Sequence, residues 1–318
     1  MVRTSDVATL VSQARDGQAR AIARLISLVE DASPQLREVM TALQPYTGNA
    51  HVVGITGAPG VGKSTSTSAI VTQFRKQGKR VGVLAIDPSS PFSGGALLGD
   101  RIRMQEHASD PGVYIRSMAS RGHLGGLSWS TPQALRVLDA AGCDVILLET
   151  VGVGQSEIEV VGIADTVIVL LAPGMGDGIQ AAKAGILEIG DVFVVNKADR
   201  DGASATSREL RHMISLADRP EGAWTPPVLK TIASQGEGID KLVEEVDAHH
   251  AWARTSGELA KRRQRRAADE IEAIALAVLR ARMADLGSDD GLGELADGVV
   301  NGRLDPYTAA DRLIATLD

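Results

Sequence analysis

Cysteine, aromatic residues and excess positive charge are all scarce in this sequence. Its 318 residues include one cysteine, Cys143, so the chain cannot form an internal disulfide bond. The formal net charge of −7 argues against a general nucleic-acid-binding protein, because such proteins need a basic surface. Phe, Tyr and Trp occur three times each, so aliphatic side chains and alanine must build the core.

Long apolar runs are missing as well. The first residues, MVRTSDVATL, lack the apolar centre of a secretion signal, and no run approaches the ~20 apolar residues that cross a bilayer. We therefore expect a soluble, cytoplasmic protein that does not use a membrane. Because Cys143 precedes an apolar strand, we expect a buried structural thiol there.

The alternation of apolar strands with helical segments predicts the fold class. It favours an α/β fold with a mostly parallel central sheet and helices on both faces. The expected strands are Val52–Thr56, Val81–Ile86, Val113–Arg116, Asp144–Glu149, Thr166–Leu171, Val192–Val195 and Val228–Ile232.

Helical patterns lie on both sides of this middle zone. We predict a helical amino-terminal extension at residues 1–45, an α/β domain at 46–254 and a helical carboxyl-terminal arm at 255–318. The arm has an apolar stripe that offers packing either to the chain's own core or to a second subunit. The stripe consists of Ile271, Ile274, Ala275, Val278 and Leu279.

The segment after the first strand carries the clearest functional signal. It fills the pattern G-x-x-x-x-G-K-[ST] of a loop that holds nucleoside phosphates. Its glycines leave backbone N–H groups free for phosphate oxygens, Lys63 supplies positive charge, and Ser64 offers a hydroxyl to Mg²⁺. Thr65 continues into a helix whose positive end faces the anion. The pattern itself is Gly57, Ala58, Pro59, Gly60, Val61, Gly62, Lys63 and Ser64.

The nucleotide base is predicted by Asn196-Lys197-Ala198-Asp199, which follows a strand. A carboxylate at the fourth position accepts two bonds from guanine, whereas adenine lacks the 2-amino donor. The stem of Lys197 can lie along the purine, and Asn196 can tie this loop to the phosphate end. We expect backbone N–H groups of Ala233 and Ser234 to complete the base pocket, although an ordinary turn also fits them.

Acidic residues at strand ends predict the metal site. Asp87 and Glu149 each end a strand, and ligands collect beyond the carboxyl ends of parallel strands. Both can reach Mg²⁺ directly or through water, since Mg²⁺ keeps several waters. Asp100 lies near a loop rich in turn-forming residues and fits a surface carboxylate equally well.

The residues after Glu149 predict a switch. The Gly152 N–H can bond the γ-phosphate and be released on hydrolysis. Val153 directly follows it, where many small GTPases carry a glutamine that orients water. We therefore expect slow intrinsic turnover, with Lys63, Glu149 and Gly152 as the predicted catalytic residues.

With these motifs the chain resembles the methylmalonyl-CoA mutase-associated GTPases of the MeaB/ArgK family, which are SIMIBI-class P-loop GTPases. The resemblance covers nearly the whole chain and includes Met118–Gly122, Leu124–Leu127 and Pro173–Asp177. It implies a homodimer formed by the carboxyl-terminal arm. It also implies a GTP-dependent chaperone of methylmalonyl-CoA mutase that gates adenosylcobalamin loading and protects the mutase.

The resemblance further implies roles for individual residues. It adds Asp100 and Glu149 to the Mg²⁺ shell beside Ser64 and Asp87. It also implies an additional switch that couples the nucleotide state, GTP or GDP, to a partner. The residues of this switch are Asp177, Gln180 and Lys183.

Two other functions stay open at this point. A nickel-insertion GTPase needs clustered His or Cys ligands, whereas this chain has one cysteine and six histidines, of which only His249 and His250 are adjacent. A nucleotide-gated scaffold with negligible turnover is compatible with the missing glutamine. Older naming ties the family to arginine/ornithine transport as a kinase, but this sequence contains no membrane segment that would support that role.

Overall fold

The structure is a computed structural model that describes residues 6–88, 104–120, 130–150, 162–174, 187–287 and 291–315. The chain divides into two compact units, with the boundary between Leu259 and Ala260. No helix in the described ranges has the length and apolar content needed to cross a bilayer.

Within the described residues, seven strands of the first unit form one parallel sheet. Their order across the sheet is β3-β2-β4-β1-β5-β6-β7, and every pairing is parallel. The predicted α/β fold is therefore confirmed. The strands are β1 (His51–Thr56), β2 (Val81–Pro88), β3 (Val113–Ser120), β4 (Val145–Glu149), β5 (Thr166–Leu171), β6 (Val192–Val195) and β7 (Val228–Lys230).

Helices cover both faces of the sheet. Strands β1, β4, β5 and β6 are buried at every position, as expected for parallel strands with two covered faces. Among the described residues, the helices of this unit with at least eight residues are α1 (Val7–Arg15), α2 (Ala19–Glu30), α3 (Leu36–Leu43), α4 (Lys63–Lys76), α5 (Thr131–Ala140), α6 (Ala203–Leu216) and α7 (Ile239–Thr255).

The amino-terminal helices share the core of the sheet. Apolar side chains of α1, α2 and α3 belong to the same buried cluster as those of α5, α6 and one sheet face, while α4 and α7 contribute to the cluster on the other face. Cys143 is buried in the first cluster, and burial raises the pKa of its thiol to about 12. The prediction of a structural thiol is thereby confirmed.

Element boundaries differ from the sequence prediction at several strand ends and at one helix start. Strand β3 continues four residues past the predicted end at Arg116, because it pairs with β2 as far as Ser120. Strand β7 ends at Lys230 rather than at Ile232. Helix α3 begins at Leu36, since Ser33 first accepts a bond from the Gln35 N–H in a turn.

The second unit is helical. It holds α9 (Gly291–Val300), α10 (Pro306–Ala315) and all but the first two residues of α8 (Glu258–Gly287). Helix α10 starts at Pro306, and the Asp305 carboxylate accepts the N–H groups of Tyr307 and Thr308, an arrangement typical of an Asp-Pro helix start. Among the described residues, exposed large apolar side chains lie in this unit with the exception of Leu216.

Candidate functional site

The phosphate loop begins at the centre of the sheet. Strand β1 lies between β4 and β5, and Gly57–Gly62 leads from its carboxyl end to α4. This is the edge of an open parallel sheet where ligands bind. The loop therefore places the amino-terminal end of a 14-residue helix, which favours anions, at the middle of that edge.

Two glycines of the loop are required by their surroundings. Gly57 has φ of +143°, and a Cβ there would lie 2.3 Å from the Leu170 carbonyl oxygen. Gly62 has φ of +98°, and a Cβ there would lie 2.5 Å from Asn196 Nδ2. Both positions combine a backbone conformation that favours glycine with no room for a side chain.

Lys63 is buried at the first position of α4. Its Nζ donates to the Gly57 carbonyl at 2.7 Å and to the Ala58 carbonyl at 3.3 Å. The ammonium group is thereby held across the loop that would surround the phosphates. A cation in this position can neutralise phosphate charge without a large rearrangement.

A buried carboxylate joins the loop to the neighbouring strand. Glu149, the last residue of β4, accepts a bond from Ser64 Oγ at 2.6 Å on Oε1 and from Thr67 Oγ1 at 2.8 Å on Oε2. Ala85 of β2 pairs with Glu149, so the backbone of Asp87 lies two residues further along the same edge. The described residues do not include the side chain of Asp87.

The predicted base-binding segment is tied to the phosphate loop by Asn196. Its Nδ2 donates to the Val61 carbonyl at 2.9 Å, and its Oδ1 accepts from Thr231 Oγ1 and from the Ala233 N–H, each at 3.1 Å. All three contacts are buried. Asn196 thus fixes the loop after β6 against the loop after β1, as its sequence position predicts.

Ala233 supports Asn196 in this structure. Its N–H donates to the buried Asn196 Oδ1, which needs a partner. The contact of Ala233 with the base stays a prediction. Ser234, the next residue, is exposed in the 3₁₀ turn Ala233–Gln235.

Lys197 contacts the phosphate loop, and Asp199 lies two residues further along the chain. Lys197 has φ of +56°, and its Nζ donates to the Gly60 carbonyl at 2.6 Å. This left-handed backbone is unusual for a residue with a long side chain and is stabilised by the surrounding turn. Asp199 is exposed, so its carboxylate is open to an incoming base.

The remaining loop residues divide by exposure. Val61 and Ser64 are buried, and Ala58 is half-buried. The exposed positions are Pro59, Gly60 and Thr65. The predicted residues that lie outside the described ranges are Asp100, Gly152, Asp177, Gln180 and Lys183.

The adjacent histidines lie at the opposite edge of the sheet. His249 and His250 belong to α7, and His250 stacks on His51 at the start of β1 with ring centroids 3.9 Å apart. The Nδ1 of His249 bonds Thr166 Oγ1 at 2.8 Å, and its Nε2 lies 3.2 Å from Asp191 Oδ1. One nitrogen of His249 is thus hydrogen-bonded to Thr166, while the other lies close to the Asp191 carboxylate without forming a hydrogen bond.

The sequence analysis did not identify two residues that contact the site, Thr67 and Thr231. Thr67 follows Lys63 by four positions, which places both on one side of α4, and this spacing could have drawn attention to it. Thr231 follows β7 and carried no such signal. Its contact with Asn196 depends on the neighbouring positions of β6 and β7 in the sheet.

Comparisons with known proteins agree with this geometry. A family model described as methylmalonyl Co-A mutase-associated GTPase MeaB matches residues 22–286. A relative from Pyrococcus abyssi is 47% identical over 307 residues, covering 96% of this chain and 95% of that protein. GTPase ArgK from Escherichia coli is 36% identical over 277 residues, covering 85% of this chain and 83% of ArgK.

A mouse protein and a solved structure extend the comparison. The mouse protein, methylmalonic aciduria type A homolog, mitochondrial, is 37% identical over 268 residues, covering 78% of this chain and 64% of its own length. The crystal structure of an LAO/AO transport system kinase matches with a TM-score of 0.73 at 27% identity, covering 100% of this chain and 99% of that one. The chain therefore belongs to the MeaB family of methylmalonyl Co-A mutase-associated GTPases and hydrolyses GTP.

Proposed function

We propose that this GTPase is a nucleotide-controlled chaperone of a methylmalonyl-CoA mutase, which it assists in adenosylcobalamin loading and protects from inactivation. The observation that carries the proposal is the match of the mutase-associated family model to residues 22–286. The mouse relative, whose name refers to methylmalonic aciduria, adds support. The chaperone would act in the cytoplasm.

In the proposed cycle, the described loops hold GTP at two ends. Lys63 and the amino-terminal N–H groups of α4 bind the phosphates, while Asp199 accepts the N1–H and the 2-amino group of guanine. Asn196 keeps these two regions at a fixed separation through its bond to the Val61 carbonyl. Hydrolysis then depends on positioning and charge neutralisation.

The residues present fit a magnesium ion. Ser64 Oγ and Glu149 Oε1 are oxygen atoms 2.6 Å apart at the phosphate end of the loop, and oxygen is the ligand type that Mg²⁺ prefers. Mg²⁺ bound there would neutralise charge on the phosphate oxygens. We propose Ser64, Asp87, Asp100 and Glu149 as the residues that hold it, directly or through water.

The switch residues belong to the same proposal. Gly152 would bond the γ-phosphate in the GTP state, and Asp177, Gln180 and Lys183 would pass that state to the mutase. Val153 occupies the place of the water-orienting glutamine of other GTPases, so we propose slow intrinsic turnover. The mutase would then bind one nucleotide state more tightly, as any nucleotide-driven switch requires.

Titration calorimetry with a purified methylmalonyl-CoA mutase tests this proposal. The GTPase is loaded with a non-hydrolysable GTP analogue, with GDP, or with no nucleotide, and each form is titrated into apo-mutase. We expect the two nucleotide forms to differ at least ~5-fold in dissociation constant, the lower end of ordinary allosteric coupling. Lys63→Ala serves as the nucleotide-free control. Equal affinities, or no binding in either state, would contradict the chaperone role.

A further inference from the structure

We propose that Thr67 is a positioning residue for Glu149 that keeps this carboxylate in place when Mg²⁺ binds. Thr67 lies on α4 beyond the end of the phosphate-loop pattern and is fully buried. Its hydroxyl oxygen lies 2.8 Å from Glu149 Oε2. The inference rests on the proposed role of Ser64 and Glu149 in holding Mg²⁺.

The Thr67 hydroxyl has two possible acceptors and one proton. The Lys63 carbonyl, one helical turn earlier, is 3.0 Å away, while Glu149 Oε2 is closer. Hydrogen bonds to a carboxylate are shorter and stronger than neutral ones. The proton is therefore donated to Glu149, and the helical carbonyl is the weaker alternative.

The two hydroxyls that contact Glu149 are not equivalent. Ser64 holds Oε1 at 2.6 Å, but its oxygen is also the atom offered to the metal ion. Thr67 holds Oε2 and has no place in the phosphate-loop pattern. When Ser64 turns toward the ion, the Thr67 donor stays in place and still limits rotation of the carboxylate at the end of β4.

Thr67→Val tests this role with little change in side-chain volume. The variant removes the hydrogen bond from Thr67 to the buried Glu149 Oε2. The loss of one bond to a buried charged group corresponds to a change of about tenfold in an equilibrium constant. We expect the Mg²⁺ concentration that half-saturates the GDP complex to rise by about that factor. Nucleotide affinity in excess EDTA should stay within about twofold of wild type, because the phosphate loop is unchanged.

A matched control exists on the same helix. Thr72 is exposed, and its hydroxyl donates to the Ser68 backbone carbonyl in the same helical pattern. Thr72→Val should leave the Mg²⁺ midpoint unchanged. Thr67→Ser, which keeps the hydroxyl, should restore most of the wild-type midpoint, whereas a purely steric role would not separate serine from valine in this way.

The measurement is fluorescence of mant-GDP titrated with Mg²⁺ on the full chain, with thermal unfolding to check that each variant is folded. If Thr67→Val does not fold, Thr67→Ala replaces it. An unchanged midpoint in either variant overturns the proposal, and so does an equal loss of affinity in EDTA and in Mg²⁺. If Mg²⁺ has no effect on wild-type affinity, the metal assignment and this inference both fail. If the calorimetry shows no mutase binding by the wild-type chain while the Mg²⁺ results are as expected, only the chaperone role is contradicted.

Discussion

At the scale of single residues, we propose Asp199 as the group that selects the base. Its carboxylate is exposed next to Lys197, whose Nζ is tied to the Gly60 carbonyl. Guanine presents two donors on the edge that reaches Asp199, whereas adenine presents an acceptor and no 2-amino group. Selectivity therefore depends on an acceptor-only side chain at this position.

Changing Asp199→Asn alters that chemistry with almost no change in shape. The amide has one acceptor and one donor group, so it cannot accept both guanine bonds. We expect GTP affinity to fall at least tenfold, since bonds to charged groups contribute about 1.5–3 kcal/mol. XTP, which has an oxygen in place of the 2-amino group, should bind to the Asp199→Asn variant more tightly than it binds to wild type.

Equilibrium binding of labelled GTP, XTP and ATP measures this change. Asp201→Asn, an exposed carboxylate two residues away, provides the control and should behave as wild type. An unchanged ratio of GTP to XTP affinity in Asp199→Asn would show that another group reads the base.

The residues of the two motifs could be predicted from sequence because their chemistry is local. Lys63, Ser64 and Asn196 lie in short patterns whose spacing already indicates their contacts. Thr67 and Thr231 could not be assigned in this way, since neither belongs to a motif and only the fold brings each to its partner, 82 and 35 positions away along the chain. The use of the Ala233 N–H by Asn196 likewise depends on how two strands meet.

At the scale of elements, α7 is joined to the amino-terminal edge of the sheet by buried polar groups. His51 Nε2 and His249 Nδ1 each lie 2.8 Å from the hydroxyl of Thr166, at the start of β5. Asp191 lies beyond His249. These contacts connect β1, β5 and α7 at the edge opposite the phosphate loop.

The buried His51 at this edge makes the free energy of unfolding depend on pH. Burial, followed by the charge of His250, lowers the pKa of His51 to about 3, while Asp165 opposes the shift and His249 and Lys79 add to it. In the unfolded chain a histidine titrates near its ordinary value of ~6.5. Between these two values the unfolded chain binds a proton that the folded chain does not, so the free energy of unfolding falls as pH falls.

Urea unfolding between pH 8 and pH 4 checks this linkage. We expect His51 to contribute a slope of about 1.4 kcal/mol per pH unit below pH ~6.5 and none above it. His51→Gln should flatten the slope by about that amount, whatever its effect on overall stability. His212→Gln, at an exposed histidine of α6, is the control. An identical slope in wild type and His51→Gln would contradict the predicted linkage.

Strands were easier to predict than helix starts for a physical reason. A strand buried on both faces is a continuous apolar run, as in Thr166–Leu171, whose bounds match the prediction. A serine followed by a proline, as in Ser33-Pro34, is typical of a helix start. Helix α3 nevertheless begins only at Leu36, because a side-chain bond within the turn competes with helix formation there. The end of β3 depends on pairing with β2, which the local sequence does not contain.

At the scale of the whole molecule, the sequence predicts the first unit in more detail than the second. The alternating pattern predicts the sheet and places the motifs at its carboxyl edge, because chain order and strand direction determine that edge. The helical arm carries no chemical motif, so its pattern predicts an apolar stripe but not the surface that covers it. Ile271 of this stripe is 68% exposed in the structure.

We predict that a second copy of the chain covers this stripe. Ile271, Ile274 and Leu279 are all exposed on α8, and exposed apolar stripes of this kind mark interaction sites. Sedimentation equilibrium should therefore give twice the chain mass of 33.3 kDa. Ile271→Glu combined with Leu279→Glu would bury two charges in that contact, which is costly. The double variant should raise the dissociation constant of the dimer at least tenfold.

The control for this experiment is Glu272→Lys. It changes the net charge of α8 by two units, as the double variant does, but at a position outside the stripe. It should remain a dimer, because a solvated side chain at the edge of a contact contributes little to its stability. A wild-type chain that sediments at the monomer mass at all concentrations would contradict the prediction. So would a double variant with the wild-type dissociation constant, since the contact would then lie elsewhere on the molecule.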